Sequence, residues 1–338
     1  MFNLHKLLFV TSLISGTLIS ISSYSFMGMW MGLEINLLSI IPLMNSAKSS
    51  YSAESSIKYF ITQALASTIL LFSVILIMNS EALNIMKMNS APLMMLNTSL
   101  LTKMGAAPFH FWFPEIIEGL NWSNSFILLT WQKIAPMVIL MSNTKPIMFM
   151  SLIIVTSMVI GGFLSMNQVS MRKILVFSSI NHMGWMISAM ITSEIVWLIY
   201  FCIYSLILLI MVMMLNTLKI FFMKQLISQM KMNKITKMMF IMNFFSLGGL
   251  PPFLGFFPKW LTINMMIEKQ MMLLSIIMVL LTLITLFVYA RIVFMSLIMG
   301  SDQTNFTANS QLTSFKLTTM NTLNMLGLLT ITSIISFS

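Results

Sequence analysis

The chain has 338 residues, is 58% hydrophobic and 8% charged, and carries a formal net charge of +10 with a mean hydropathy of +0.94. Soluble domains carry about 25% charged residues, so there is too little polar surface here to cover a soluble globule. The apolar runs, about 20 residues long and unbroken by alternation, exclude a transmembrane barrel.

The fold class is all-α: a polytopic membrane protein of about 11 transmembrane helices in a single membrane domain. The spans run roughly over 4–22, 25–45, 53–79, 90–118, 123–143, 146–166, 170–192, 194–221, 235–266, 271–299 and 317–337. The polar stretches 222–234 and 300–316 are the longest connections and are read as loops.

Glu34 lies near the centre of the second span. Lys103 stands in the fourth, just before Gly105-Ala-Ala-Pro108, with His110 immediately after it. Lys133 is about ten residues from either end of the fifth span, beyond ordinary snorkelling, with Pro136 expected to kink that helix. His182 is central in the seventh span, as a proton relay or as a hydrogen-bonded core histidine. The ninth span is broken at Gly248-Gly249-Leu-Pro251-Pro252 and then carries Lys259, which either functions or snorkels to the surface. A charge in hydrocarbon costs at least about 2.5–3.5 kcal/mol, so Glu34, Lys103, Lys133 and Lys259 are the candidate proton-transfer residues, with His182 and His110 as further relay candidates. Lys58, Arg172, Lys173 and Arg291 read as anchors at the membrane edge, Glu54, Glu115 and Glu118 as helix-end charges, and Trp112, Trp122 and Trp185 as belt or packing residues.

Other chemistries find no support. There is no P-loop and no Gly-x-Gly-x-x-Gly, so nucleotide and flavin binding are not expected. The lone Cys202 allows no intrachain disulfide, and the histidines His5, His110 and His182 are scattered, so no metal site is expected. Basic residues border the spans. Ten of them, Lys6, Lys48, Arg172, Lys173, Lys219, Lys224, Lys231, Lys234, Lys237 and Lys316, fall on the N-terminal side, against Lys87, Lys145 and Lys269 opposite. That bias places the N-terminus on the cytoplasm-equivalent side, and it explains the charge without nucleic acid. The stretch 219–237 is either a solvated loop or a contact for anionic lipid or an acidic partner.

The two breaks repeat. In Gly105-Ala-Ala-Pro108-Phe-His-Phe-Trp-Phe-Pro114 and Gly249-Leu-Pro-Pro252-Phe-Leu-Gly-Phe-Phe-Pro258, Gly, Pro, Phe, Phe and Pro coincide at one offset, 249 − 105 = 144 residues. Each break falls in the fourth of five spans. Because five is odd, the pattern implies two inverted five-helix repeats, 4–143 and 146–299, each with a broken fourth helix, followed by a C-terminal helix at 317–337. Pro108, Pro251 and Pro252 leave the carbonyls of Met104, Leu247 and Gly248 without helical donors. At membrane depth, water or facing side chains must satisfy such groups.

Four segments carry a family resemblance: Lys103-Met-Gly-Ala-Ala-Pro-Phe-His-Phe-Trp-Phe-Pro, Trp131-Gln-Lys-Ile-Ala-Pro, Arg172-Lys-Ile-Leu-Val-Phe-Ser-Ser-Ile-Asn-His-Met-Gly-Trp and Gly248-Gly-Leu-Pro-Pro-Phe-Leu-Gly-Phe-Phe-Pro-Lys-Trp. In order and spacing they resemble the antiporter-like subunits of respiratory complex I, most like arthropod versions, over about 29–291. The 39 methionines resemble the codon usage of an animal mitochondrial genome, and with apolar sequence beginning at Leu4 no Arg-rich import presequence is expected.

The resemblance implies proton pumping along a hydrated axis, coupled to electron transfer from NADH to ubiquinone, with roles for Glu34, Lys103, Lys133 and Lys259. It implies that the chain itself binds no cofactor, NADH, FMN, iron–sulfur clusters and ubiquinone lying elsewhere in the complex. It implies an inner mitochondrial membrane location, with the N-terminus in the matrix and the C-terminus in the intermembrane space. Expected neighbours are antiporter-like subunit 4, small subunit 4L, supernumerary subunits and phospholipids including cardiolipin. Longer members have three more N-terminal helices, so a partner is expected to cover that flank.

Glu34 and Lys103 are the natural buried pair, static or switchable. At an effective dielectric of about 20, contact at about 4 Å is worth about 4 kcal/mol. Breaking such a contact is expected to drive a proton from Lys103 to Lys133, and on toward His182 and Lys259. An autonomous cation/proton antiporter, or a structural membrane scaffold with inert ion pairs, remains open on the same residues.

Overall fold

The structure is a computed structural model and describes residues 4–45, 49–82, 90–144, 146–232 and 234–298, together with 322 and 327. Fourteen helices form among the described residues, with a single isolated β-bridge, Ser170 to Phe222. Among the described residues, eight spans are long and apolar enough to cross a membrane. The predicted helix at 317–337 lies outside the described residues apart from the isolated 322 and 327. The chain divides into two compact units, Met1–Thr156 and Ser157–Ser338.

The first unit holds α1 (Leu4–Ser22), α2 (Phe26–Met44), α3 (Ser50–Ala82), α4 (Ser90–Met104), α5 (Trp112–Glu118), α6 (Trp122–Leu129) and α7 (Trp131–Ser142). Helices α1 and α2 cross closely because glycines meet there. A Cβ on Gly32 would stand 2.5 Å from the Ser20 nitrogen, and one on Gly16 would stand 3.0 Å from that of Asn36. Helix α3 runs polar residues down its buried side, where Ser52, Ser55, Tyr59, Gln63 and Ser67 are all enclosed. Their spacing of three to four residues puts them on one helical face. Helix α8 (Ile147–Met166) contains the division between the units.

The second unit holds α9 (Met171–Thr192), α10 (Glu194–Thr217), α11 (Met223–Met232), α12 (Lys234–Gly248), α13 (Phe256–Glu268) and α14 (Met272–Ile298). Helix α9 is buried along nearly its whole length and is the unit's central element. Gly161 of α8 sits against it, its missing Cβ leaving 2.8 Å to the Phe177 carbonyl.

Two expectations are corrected. The stretch 222–234 is not a loop: α11 fills most of it, and α12 begins at Lys234. Lys224, Gln225 and Ser228 are exposed on this short amphipathic helix, while Leu226 is buried. Such a helix reads as a loop where hydropathy is averaged rather than taken at the helical period. The fifth span is also interrupted earlier than Pro136. The helix breaks at Thr130, whose hydroxyl turns back onto the Phe126 carbonyl at 2.7 Å, and the Lys133 amide donates to the Thr130 carbonyl in a tightened turn. Lys133 therefore stands in the first turn of α7 rather than in mid-helix, and Pro136 sits inside α7.

Candidate functional site: buried lysines beside helix interruptions

The breaks at 105 and 249 share one backbone motif. Gly105 and Gly249 take left-handed conformations, with φ of +74° and +76°, which glycine adopts without steric cost. In the first, the Gly105 amide donates to Thr102, Ala106 to Leu101, Phe109 to Ala106 and Phe113 to His110. In the second, Gly249 donates to Ser246, Leu250 to Phe245, Phe253 to Leu250 and Phe257 to Leu254. All four bonds repeat at the 144-residue offset. The opening pair of each set is the helix-ending arrangement that returns two amides to the last turn. Alone, α4 has 15 residues and α5 has 7, while α12 has 15 and α13 has 13. A 15-residue helix is about 22 Å long, short of a hydrocarbon core of about 30 Å.

Lys103 occupies the last turn of α4 and is 7% exposed. The negative end of a helix dipole favours a cation there. The exposed carbonyls of that turn have neutral donors: Trp112 Nε1 reaches Thr102 at 3.1 Å, and Gln63 Nε2 reaches the Lys103 carbonyl at 3.4 Å. Lys103 lines a cavity of about 10 Å3 together with Leu33, Asn36, Leu37, Tyr59, Gln63, Gln132 and Pro136. Glu34 is half-buried and close enough to act on Lys103 electrostatically. The expected contact pair is not formed. The ion pairs seen within 4 Å, Lys58 with Glu54 and with Glu115 at 3.0 Å each, involve neither Glu34 nor Lys103. One Glu34 carboxylate oxygen, Oε1, is buried without a hydrogen-bond partner among the described residues.

Lys133 is 1% exposed and its ammonium lies over the Phe113 ring, 5.4 Å from the centroid, within range of a cation–π contact. Phe113 belongs to α5, so the segment after the first break supplies the wall beside Lys133.

Lys259, in the first turn of α13, is 6% exposed. It does not snorkel. Its Nζ donates to the Gly248 carbonyl at 2.8 Å, the very carbonyl that Pro252 leaves without a donor. The ammonium also stands 5.8 Å from the Trp185 ring centroid, and Trp185 is buried, so that tryptophan is no belt residue. Gly249 makes room: a Cβ there would meet the Lys259 Cδ and Nζ at 2.9 Å. Lys58, read as an anchor, ties α3 to α5 through Glu115.

The two relay candidates, His182 and His110, both have defined partners. His182 is buried in α9, with Nδ1 2.9 Å from the Tyr200 hydroxyl and the Tyr204 ring tilted against it at 5.1 Å between centroids. His110, within the first break, donates from Nδ1 to the Pro108 carbonyl at 3.2 Å and stacks on Phe111. Among the described residues, no group of three or more His, Cys, Asp and Glu side chains is arranged to hold a metal.

The first unit thus brings together Glu34, Lys103 and a polar cluster that the sequence reading missed: Asn36, Tyr59, Gln63 and Gln132. Gln132 Nε2 donates to Asn36 Oδ1 at 3.0 Å, and the Tyr59 hydroxyl reaches Gln132 Oε1 at 3.5 Å. The second unit brings together Lys259, Trp185, Gly248 and, on α9, His182 with Tyr200. Two signals were available in the sequence: the four-residue spacing of Tyr59 and Gln63, and Gln132 standing next to Lys133.

Residues 23–285 match the model of a family described as NADH:quinone oxidoreductase/Mrp antiporter, transmembrane. The chain is 50% identical to NADH-ubiquinone oxidoreductase chain 2 of Anopheles gambiae over 286 residues, 84% of each chain. It is 47% identical to the protein of the same name from Aedes aegypti over 331 residues, 97% of each. Its fold matches a chain of respiratory complex I from Thermus thermophilus with a TM-score of 0.85 at 22% identity, covering 97% of this chain and 79% of that one.

Proposed function

We propose that this chain, which belongs to the NADH:quinone oxidoreductase/Mrp antiporter transmembrane family, is a proton-translocating subunit of a respiratory complex I. In that complex, electron transfer from NADH to ubiquinone drives the transport. The observation that carries the reading is the placement of three buried lysines, Lys103, Lys133 and Lys259, each within a few residues of a helix interruption. A static scaffold has no use for them. An ammonium buried in hydrocarbon is costly, and Lys103 and Lys259 have no carboxylate within 4 Å among the described residues to offset that cost.

The residues divide the work. Glu34 stands near Lys103 without closing an ion pair, so a small shift of α2 against α4 changes the field at the Lys103 ammonium. Lys133, on the α7 turn that follows Gln132, is the next acceptor. In the second unit His182 and Lys259 serve the same transport, with His110 as a further relay group in the first break. The two five-helix repeats, 4–143 and 146–299 and of opposite topology, belong to this proposal; the four hydrogen bonds that recur at one offset support it.

The redox groups, NADH, FMN, iron–sulfur clusters and ubiquinone, belong to other subunits, as do the membrane neighbours, including antiporter-like subunit 4 and small subunit 4L, and the supernumerary subunits. Phospholipid, cardiolipin included, and a partner subunit cover the apolar flank of α1, where Leu4, Leu7, Leu8 and Leu18 are exposed. The setting is the mitochondrial inner membrane, with the N-terminus in the matrix and the C-terminus in the intermembrane space, as the basic-residue bias indicates.

The test is NADH-driven proton transport by the intact complex carrying Lys103→Met. Transport falls while assembly is retained. Undiminished transport in an assembled variant rejects the reading. An autonomous cation/proton antiporter, favoured by the second half of the family's description, predicts instead sodium-dependent proton exchange by the isolated chain.

A further inference from the structure

The cavity beside Lys103 has a chemistry that the proton-transfer residues alone do not explain. Its lining comes from four helices of the first unit: Leu33, Asn36 and Leu37 of α2, Tyr59 and Gln63 of α3, Lys103 of α4, Gln132 and Pro136 of α7. At about 10 Å3 it has room for about one water. Five of the eight lining residues, Asn36, Tyr59, Gln63, Lys103 and Gln132, are polar, against Leu33, Leu37 and Pro136, whereas a packing defect between membrane helices is lined by hydrocarbon.

The Lys103 ammonium carries three donors, and among the described residues it makes no ion pair within 4 Å. The acceptors lie across the cavity. Pro136 cannot donate to the Gln132 carbonyl, so that backbone oxygen is released from the helix. The Gln132 side chain is held at both ends, its nitrogen on Asn36 Oδ1 at 3.0 Å and its oxygen beneath the Tyr59 hydroxyl at 3.5 Å. Amide and phenol are locked in turn. Tyr59 is 3% exposed, with its ring edge-on to Trp112 at 5.9 Å between centroids. A water here has between two and four polar partners, which a stable buried water requires.

We infer that this cavity is a single-water site and that Gln132, clamped by Asn36 and Tyr59, is the positioning residue that orients the water to accept from Lys103. The inference deepens, and rests on, the proton-translocation reading above. Neighbouring side chains on a helix diverge by about 100°. Gln132 therefore faces the water while Lys133, the next residue, faces Phe113. One turn of α7 presents the water on one side and the next lysine on the other. The proton leaves Lys103 Nζ, which becomes a neutral amine, for the water oxygen as the water releases one of its own protons toward the neutral amine of Lys133, which becomes the ammonium. No electron moves, and the water is regenerated.

The experiment uses the intact complex in three forms: unaltered, Gln132→Met, which keeps the length but neither hydrogen bond, and Tyr59→Phe, which keeps the ring. A high-resolution map of the unaltered complex shows an ordered water within hydrogen-bond distance of Lys103 Nζ, and the Gln132→Met map does not. Coupled proton transport slows about five- to tenfold in Gln132→Met and less in Tyr59→Phe, as loss of one or two hydrogen bonds implies. The solvent deuterium isotope effect on transport rises in both variants, which a merely structural role does not produce.

The inference is overturned if the unaltered map, with neighbouring waters resolved, has none in this cavity. It is equally overturned if Gln132→Met transports at the normal rate with an unchanged isotope effect while Lys103→Met does not transport; the proton relay then stands without this site. If Lys103→Met also transports normally, the relay itself is wrong. Should Gln132→Met fail to assemble, Tyr59→Phe and the unaltered map decide the matter.

Discussion

The two helix breaks are alike in backbone and unlike in charge. Each has a left-handed glycine, the same four hydrogen bonds and a proline that strips a carbonyl of its donor. In the first, the neutral donors Gln63 and Trp112 bond the Lys103 and Thr102 carbonyls, and the lysine ahead of the break lines a largely polar cavity. In the second, the lysine beyond the break is itself the cap, its ammonium on Gly248. Glu115 holds the register position in the first break that Lys259 holds in the second, 144 residues on. Glu115 sits at the exposed edge with Lys58, while Lys259 is buried. One backbone device thus presents a lysine held loosely or tightly, according to whether neutral side chains or the lysine itself bond the carbonyls at the end of the helix before the break.

The contrast breaks first at the glycines. Gly249→Ala strains a left-handed residue by about 1–2 kcal/mol and drives a Cβ into Lys259, which unpairs a buried carbonyl for a further cost of about 1–3 kcal/mol. Gly105→Ala brings a Cβ to 3.1 Å from the Trp112 ring and 3.3 Å from Phe113, so it adds a shift of a few tenths of an ångström in those side chains to the conformational cost of about 1–2 kcal/mol, without touching a buried ammonium. The midpoint of thermal inactivation of the assembled complex is expected to fall in both variants, and further for Gly249→Ala. Equal falls would mean that Lys259 does not cap Gly248.

Lys259→Met comes next. Met approximates the length of the lysine but offers no donor, so the loss is about 1–3 kcal/mol for the unpaired carbonyl. Lys103→Met removes a group that caps nothing and is expected to destabilise less. The reverse order in thermal midpoints would contradict the assignment of the two lysines.

Smaller still is the coupling between Glu34 and Lys103. They interact without contact, so a double-mutant cycle of Glu34→Gln and Lys103→Met on assembly is expected to give about 0.5–1 kcal/mol, the low end for neighbouring residues. A value of several kcal/mol would show a closed ion pair in the assembled complex. Lys58→Ala is expected to have the least effect, because both of its partners are solvent-exposed and such pairs contribute little. A clear drop in thermal midpoint there would give the α3 to α5 tie a structural importance that its exposure argues against.

Much of this was legible in the chain. Gly105, Pro108, Gly249 and Pro252 mark both breaks because glycine and proline impose conformation locally. Lys103, Lys133 and Lys259 stand out because charge in an apolar span is conspicuous. The polar cluster was hidden, since Asn36, Tyr59, Gln63 and Gln132 are ordinary residues one at a time and come from three helices. The turn at Thr130 was hidden as well, because a threonine hydroxyl that bonds its preceding turn looks like any other threonine. The capping of Gly248 by Lys259 joins positions 11 apart through a break whose path hydropathy does not describe. Helix α11 was missed for a different reason: its polar side outweighs its apolar side in a simple average.

The central claim is that buried lysines at helix interruptions carry protons, and Lys133 tests it most directly. It is 1% exposed and stands over Phe113, so Lys133→Met keeps the volume and removes the titratable group. The measurement is protons transported per NADH oxidised by the assembled complex in sealed inner-membrane vesicles. The account predicts that the ratio falls while the complex remains assembled. An unchanged ratio in an assembled Lys133→Met complex would contradict it.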